Sequence, residues 1–208
     1  MNAKRYRDPE TTRATLLDAA EKVFLAKGFG NTSLSDIAHE AGLTKSLIHH
    51  YFGSKEGLWH EVKSRRFAAY MEQQHRMLED QPATVELLSD SFRLYFHYLK
   101  HNPELVKIMA WIFLERDQSE CFRTEKVIIE EGVQKVREVQ AQGKLRADID
   151  PRFILFVFTG LAQHWFQDRD HFLTDFRIDG LPQGDDLDEV FLENAAKIFF
   201  EGILPRKS

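Results

Sequence analysis

Helical periodicity runs through nearly all of this 208-residue sequence, and glycine and proline mark its breaks. In residues 10–27 the apolar side chains recur at spacings of one, three, three and one, which places them on a single face of a helix. No stretch alternates between apolar and polar residues for long enough to predict a strand. The sequence therefore predicts an all-α fold of about nine helices. After a long fourth helix that ends near residue 79, further helices are expected near residues 84–100, 103–116, 119–142, 151–168 and 186–203. Residues 168–185 are expected to form a loop, because Gly180, Pro182 and Gly184 lie there.

Composition narrows the class of protein. Charged residues make up 29% and hydrophobic residues 43% of the chain, as in an average soluble globular protein. Cys121 is the single cysteine, so no disulfide can form within the chain and a reducing compartment is expected. The longest nearly apolar run, residues 153–162, is about half the ~20 residues that a membrane helix needs. The basic first seven residues lack the apolar core of a signal peptide. We therefore expect a cytoplasmic protein that has no membrane partner.

Charge is unevenly distributed along the chain. Residues 1–66 carry 11 Lys+Arg and 8 Asp+Glu, a net charge of +3, whereas the remaining residues carry a net charge of −8. A basic end on an acidic body is expected of a protein that meets a polyanion at one end only. Such an offset also arises by chance, so the inference depends on a supporting motif.

Short helical segments follow the first helix. Ser33, Thr44 and Ser54 each stand in front of one segment, and Gly42 and Gly53 separate the segments. Each hydroxyl is predicted to cap the helix behind it, and Ser33 has an acidic residue three positions on, a weak form of the capping box. Glycine tolerates the positive φ of a tight turn. Two short helices joined at Gly42 indicate a helix-turn-helix.

Apolar and polar residues fall on opposite sides of these two short helices. The predicted buried seam packs Ile37, Ala38, Leu43, Ile48 and Phe52 against Leu16, Ala20, Val23 and Phe24. The polar exterior of the second helix consists of Thr44, Lys45, Ser46, His49 and His50. This exterior has hydrogen-bonding groups and no carboxylate, and a helix of this size fits the major groove of B-DNA. The alternative is an ordinary surface-exposed αα-corner.

Residues 10–62 resemble, without a gap, the N-terminal domain of the TetR family of bacterial transcriptional regulators. The positions that carry the resemblance are Ala19, Ala20, Val23, Phe24, Lys27, Gly28, Phe29, Thr32, Ser33, Ile37, Ala38, Ala41, Gly42, Leu43, Thr44, Lys45, Ile48, Tyr51, Phe52, Ser54, Lys55, Glu56 and Leu58. The resemblance implies a helix-turn-helix DNA-binding domain at residues 1–62 and a helical ligand-binding and dimerisation domain at 63–208. It also implies a homodimer, most often a repressor, that binds a palindromic double-stranded operator and is released by a small-molecule effector.

The resemblance also implies roles for individual residues. Phosphate contacts fall to Thr32 and Ser33 and, at the start of the fourth helix, to Lys55. At Ser35 the family often has an Arg that reads a base, so this contact is expected to be weakened or lost. The recognition helix is expected to contact base edges near its N-terminus with Thr44, Lys45, Ser46 and Leu47, and its later turn supplies His49, His50 and Tyr51. Residues 46, 47 and 49 depart from the common pattern, which puts the operator sequence in doubt. The basic arm of residues 4–7 either contacts DNA or is a loose tail.

Aromatic residues crowd the acidic body. For any single one, core packing is the ordinary explanation, but together they also suit an apolar effector site. The candidates are Phe92, Tyr95, Phe96, Trp111, Phe122 and Trp165, with His97, Glu115 and His164 for polarity. Two stripes, residues 153–164 and 187–202, are predicted to dimerise the protein, unless both face the core of their own chain.

An enzyme and a protein–protein adaptor are the two alternatives to a DNA-binding regulator. Catalysis is disfavoured because no HExxH, GxSxG, GxGxxG or P-loop motif is present, and Cys121 fits a buried thiol better than a redox sensor. No cofactor or metal is expected. A protein–protein adaptor with a purely structural helix-turn-helix is the second rival. DNA binding that weakens steeply with salt would separate a regulator from an adaptor.

Overall fold

The computed structural model describes residues 8–116, 123–175 and 184–205, and all regular secondary structure within them is helical. The all-α prediction is confirmed. The helices of the described residues are α1 (Pro9–Lys27), α2 (Leu34–Ala41), α3 (Lys45–Phe52), α4 (Lys55–Asp80), α5 (Val85–His101), α6 (Pro103–Leu114), α7 (Arg123–Ala141), α8 (Pro151–Asp175) and α9 (Asp185–Ile203). None of them is both long and apolar enough to cross a membrane.

Helix α8 continues past the predicted end at residue 168, so the predicted loop over 168–185 is wrong in its first part. The additional turns are held by packing, because the Phe172 ring lies 6.0 Å from the ring of Trp165 and the Arg169 guanidinium pairs with Asp188. Residues 176–183, which contain Gly180 and Pro182, lie outside the described residues.

The chain divides into two compact units. The first contains Met1–Ala68 and Lys107–Cys121, and the second contains Ala69–Val106 and Phe122–Ser208. The division falls inside α4 and again inside α6, so these two helices each begin in one unit and end in the other. Of the described residues, 107–116 belong to the first unit, so this unit is discontinuous in sequence, and the domain boundary at 62/63 stays a prediction.

The first unit is built around the inner face of α1. Leu16, Ala20 and Phe24 are fully buried, and the apolar sides of α2 and α3 cover them through Ile37 and Ile48. The ring of Trp59 on α4 packs at a tilt against Phe24, with ring centres 4.9 Å apart, and Ile108 on α6 completes the cluster. The predicted seam is confirmed, with Leu43 and Phe52 packed at its edge.

The second unit has an aromatic core between α5, α8 and α9. Phe92 packs against Phe158 and Phe199, and Phe96 packs against Phe166 and Phe191. Both rings are completely buried. Edge-to-face and offset arrangements of this kind stabilise a core beyond the apolar area that they remove from water.

A buried carboxylate joins α8 to α9. Asp188 is 1% exposed, accepts a 2.8 Å hydrogen bond from the Trp165 indole N–H, and binds the Arg169 guanidinium through both of its oxygens at 2.9 and 2.8 Å. A buried charge is tolerated only when it is paired and hydrogen-bonded, as this one is.

We expect Asp188→Ala to lower the free energy of unfolding by about 2–4 kcal/mol, because the indole N–H and the guanidinium lose their acceptor in a low-dielectric site. Urea unfolding followed by circular dichroism measures the change. Asp170→Ala, which removes from α8 a carboxylate that is 94% exposed and lies 3.8 Å from the same Arg169, is the control and should change little. Equal effects of the two substitutions would contradict this assignment.

Candidate nucleic-acid interface

The turn between α2 and α3 sets the position of the second helix. Gly42 adopts φ 61° and ψ 34°, in the left-handed region, and its N–H donates to the carbonyl of His39 at 3.1 Å. The chain can therefore reverse within three residues, and α3 begins at Lys45. This is the tight turn that the sequence predicts at a position where glycine carries no steric penalty.

Burial of Ile48 fixes which side of α3 faces outward. That side chain is inaccessible to solvent, so residues half a turn away are exposed. The exposed members of the predicted site on α3 and its N-cap are Thr44, Lys45, Ser46, His49 and His50. Leu47 and Tyr51 are half-buried and pack at the edge of the core of the first unit. Five of the seven predicted residues are therefore exposed, and the other two lie at the border between the exposed surface and the core.

The N-termini of α2 and α3 are capped differently. At α2, Ser33 and Asp36 form a reciprocal capping box. The hydrogen bonds from the Ser33 backbone N–H and hydroxyl, with Lys27 nearby, hold the pKa of the Asp36 carboxyl below its usual value, so the cap is ionised at neutral pH. Ser33 and Ser35 are both exposed.

The predicted cap at α3 is wrong. Thr44 makes no side-chain bond to the backbone of that helix, because its hydroxyl pairs instead with the hydroxyl of Ser46 at 2.8 Å. The first-turn N–H groups of α3 are therefore not covered by the side chain in front of them. Such groups favour anions, and they lie beside the exposed hydroxyls and Lys45.

Most other cations of the first unit are neutralised within the chain. The ion pairs are Arg13–Glu61, Lys22–Glu40, Lys27–Asp36, Arg65–Asp18, Arg65–Glu21 and Arg66–Glu21. Lys45 is exposed and has no ion-pair partner within residues 8–116, 123–175 and 184–205. An unpaired positive charge on α3 attracts a polyanion to this helix more effectively than the net charge of +3 spread over residues 1–66.

Thr32 and Lys55 hold the turn between α1 and α2. Thr32 is 3% exposed, and its hydroxyl donates to the carbonyl of Gly28 at 2.6 Å. The Lys55 ammonium donates to the carbonyls of Phe29 and Thr32 at 2.9 and 3.0 Å and lies 4.2 Å from the centre of the Phe29 ring. These groups therefore stabilise the turn itself. A phosphate contact would require the Thr32 side chain to be exposed to solvent, and it is buried.

His49 has a defined tautomer. Its Nδ1 lies 3.0 Å from the carbonyl oxygen of Gly53. Because a carbonyl only accepts, Nδ1 carries the proton in this contact, and Nε2 of the neutral ring is an acceptor. An acceptor on this face can bind the exocyclic amino groups that cytosine and adenine present in the major groove.

The predicted effector residues are divided between the two units. Trp111 and Glu115 belong to the first unit, where they bond to Leu25 and Gly30. In the second unit Phe92, Phe96 and Trp165 are buried core residues, and His164 is exposed. The Tyr95 hydroxyl accepts from the Gln163 amide at 2.6 Å, and His97 lies 3.7 Å from Glu189. Phe122, Cys121 and the arm at residues 4–7 lie outside the described residues.

Gln74 is a polar residue in this body that sequence reasoning missed. It is 3% exposed, and its amide donates to the Ser91 hydroxyl at 2.6 Å. Its Oε1 is buried and has no hydrogen-bond partner in the described part of the chain. A signal was present, because Gln74 follows the buried Tyr70 by four residues and so interrupts the apolar face of α4.

An apolar groove of about 530 Å³ lies between α8 and α9. Its lining residues are Ile149, Phe153, Ile154, Val157, Leu161, Phe191, Asn194, Ala195, Ile198, Phe199, Gly202 and Ile203. Phe153 is 66% and Ile198 75% exposed. Large apolar side chains at such exposure in one patch are unusual for a surface that stays in water. The residues of the predicted dimer stripes differ in exposure, because Leu187, Ala195 and Phe199 are buried whereas Phe153, Val157 and Ile198 are exposed.

Among the side chains that the structure describes, no group of three or more His, Asp or Glu is placed to hold a metal ion. The exposed side chains of α3 and its N-cap are hydroxyls, imidazoles and one lysine. A carboxylate-free helix presented in this way on a helix-turn-helix defines a DNA-binding protein of that class.

Comparisons with known proteins also identify a DNA-binding protein. Residues 16–62 match the model of the bacterial regulatory proteins of the tetR family, and residues 91–179 match the tetracyclin repressor-like C-terminal domain. The chain belongs to the TetR family and is a DNA-binding transcriptional regulator, not an enzyme.

Individual relatives match most of the chain. The transcriptional regulator RutR of Escherichia coli is 27% identical over 212 residues, which cover 98% of this chain and 95% of that protein. The repressor NicS of Pseudomonas putida is 26% identical and covers 83% of each chain. The structure of AibR in complex with isovaleryl coenzyme A and operator DNA superposes with a TM-score of 0.68 at 20% identity, over 91% of this chain and 98% of that one.

We expect Lys45→Ala to weaken binding to duplex DNA and to lower the slope of log affinity against log salt by about 1, because one phosphate-facing charge is lost. Fluorescence anisotropy with a labelled duplex at several salt concentrations measures the slope. Lys22→Ala is the control, since this lysine is also exposed but is paired with Glu40. Indistinguishable slopes for the two variants would remove Lys45 from the interface.

Proposed function

We propose that this chain is a repressor that binds a palindromic operator as a homodimer and leaves it when a small-molecule effector binds. The observation that carries the proposal is the exposed, carboxylate-free edge of α3 opposite the buried Ile48. The proposed DNA-contacting residues are Ser33, Ser35, Thr44, Lys45, Ser46, Leu47, His49, His50 and Tyr51. Repression is favoured by the relative NicS, which is a repressor.

In the proposed complex α3 lies in the major groove with its N-terminus toward the phosphates. Lys45 and the uncapped first-turn N–H groups neutralise backbone charge. Thr44, Ser46 and the Nε2 acceptor of His49 face base edges, and the exposed part of Leu47 can meet a thymine methyl. Lys55 uses two of its three donors within the turn, so its predicted phosphate contact rests on the third.

A second copy of the chain is the proposed occupant of the α8–α9 groove. Phe153, Val157 and Ile198 are the exposed apolar residues of its lining, and covering them removes a large apolar surface from water. Two-fold symmetry would place two α3 helices about one DNA turn, ~34–36 Å, apart. The second unit, acidic and groove-bearing, therefore has no DNA-contacting role in the proposal.

The effector is proposed to bind in the second unit beside Gln74. An unpartnered buried amide oxygen costs about 1–3 kcal/mol, and a ligand N–H or O–H would recover it. Tyr95 and Gln163 supply further neutral hydrogen-bonding groups on α5 and α8. AibR, of the same fold, was solved with an acyl coenzyme A and its operator.

Selection of duplexes from a random pool tests the operator and the dimer together. Retained sequences should contain an inverted repeat, and the free protein should sediment at twice the chain mass of 24.3 kDa. We expect Ile198→Glu to give a monomer that binds the selected duplex at least about tenfold more weakly, because a charge is forced into the apolar interface.

Val127→Glu is the matched control, since Val127 is 48% exposed on α7, outside the groove. It should leave the dimer intact. Failure of the wild-type chain to bind any duplex at low salt would favour an adaptor, and a stable Ile198→Glu dimer would place the interface elsewhere.

A thermal-shift screen of small metabolites tests the effector site. A compound that raises the melting temperature and releases the selected duplex should lose most of its effect on Gln74→Leu, which keeps the side chain's size but removes the acceptor. Gln163→Leu, which removes the amide that donates to Tyr95, is a second variant for the proposed site. A compound that acts equally on both variants and on the wild type would contradict an effector site beside Gln74.

A further inference from the structure

The end of α6 contacts the turn between α1 and α2. Glu115 Oε1 accepts a 2.9 Å hydrogen bond from the backbone N–H of Gly30. Four residues earlier, the indole of Trp111 lies against Gly28 and its Nε1–H is 3.4 Å from the carbonyl oxygen of Leu25. We call this pair of contacts the Trp111–Glu115 latch.

The latch is closely fitted to the backbone. Gly28 has φ 77° and ψ 172°, a conformation that is nearly exclusive to glycine. A Cβ atom at this position would come within 2.7 Å of both Glu115 Oε1 and Trp111 Cε3. The absence of a side chain at Gly28 is thus what allows Trp111 and Glu115 to reach the main chain.

The same helix face is anchored in the core of the first unit. Ile108 is fully buried there and Ile112 packs against it. Ile108, Ile112 and Glu115 are spaced by four and three residues, so they share one side of α6. The last turns of α6 are therefore fixed at several points rather than through one surface hydrogen bond.

The turn has a second support. The Lys55 ammonium holds the carbonyls of Phe29 and Thr32, while Glu115 holds the N–H of Gly30 between them. Ser33, which directly follows Thr32, is the N-cap of α2 and an exposed member of the proposed interface. The position of the turn therefore sets where α2 begins.

We propose that Trp111 and Glu115 are positioning residues for DNA binding: they fix the α1–α2 turn so that α2 and α3 present their residues to DNA. This inference rests on the proposed function. Because α6 starts at Pro103, in the second unit, the latch ties the DNA-contacting surface to a helix that begins in that unit.

If Glu115 is substituted, loss of its charge and loss of its contact with Gly30 change the DNA affinity in opposite directions. Glu115→Ala removes a negative charge from the first unit, so electrostatics alone predicts tighter DNA binding. Loss of the Gly30 contact predicts weaker binding. Glu115→Gln removes the same charge but keeps an oxygen that can accept from Gly30, and it is the matched control.

We expect Glu115→Ala to bind the selected duplex about three- to tenfold more weakly than Glu115→Gln, with an unchanged slope against salt. Glu115→Gln should bind at least as tightly as the wild type. Hydrogen exchange of the peptide covering residues 28–33 should be faster in Glu115→Ala than in Glu115→Gln, whereas exchange in α8 stays the same.

Equal DNA binding by the two variants, or equal exchange over residues 28–33, would overturn the latch. A wild-type chain that binds no duplex would defeat the proposed function instead. The exchange experiment would still decide in that case whether Glu115 holds the turn, since it requires no DNA.

Discussion

Burial of Ile37 and Ile48 against α1 is the constraint from which the DNA-contacting surface follows. Both side chains are inaccessible to solvent, and each lies on a helix of only eight residues. A helix this short has little stability of its own, so its orientation is decided by the side that it buries. Because Ile48 points inward, the hydroxyls, the lysine and the imidazoles of α3 lie on its outer side. The side chains that α3 buries in the core therefore decide which side chains it exposes to solvent.

In the proposed complex, DNA is met by a part of the chain whose net charge is only +3 over residues 1–66. Most of the first unit's cations are used internally, and Glu21 alone receives both Arg65 and Arg66. These pairs fix α1 on α4. They leave Lys45, the hydroxyls and the first-turn N–H groups of α3 to meet the phosphates. An interface with few free charges relies on accurate placement of each donor, which gives the supports of the α1–α2 turn, Lys55 and Glu115, their importance.

Sequence predicted the helix-turn-helix well because its determinants are local: helical periodicity, Gly42, and the Ser33–Asp36 cap. The exposed face of α3 followed from the same periodicity. The side-chain cap predicted at α3 is wrong for a local reason, because Ser46 competes for the Thr44 hydroxyl. Contacts between residues distant in sequence could not be predicted: Trp111 and Glu115 were candidates for an effector site, and their partners Leu25 and Gly30 lie about 85 residues away along the chain. Aromatic content also could not separate core residues such as Phe92 and Phe96 from ligand-binding ones, because both roles favour the same residue types.

Methylation interference on a selected duplex tests most directly whether the outer edge of α3 enters the major groove. Dimethyl sulfate modifies guanine at N7, which lies in that groove. The account predicts two clusters of interfering guanines on one face of the duplex, centred about 10 base pairs apart or slightly more. Interference confined to minor-groove adenine positions, or a single cluster from an isolated subunit, would contradict it.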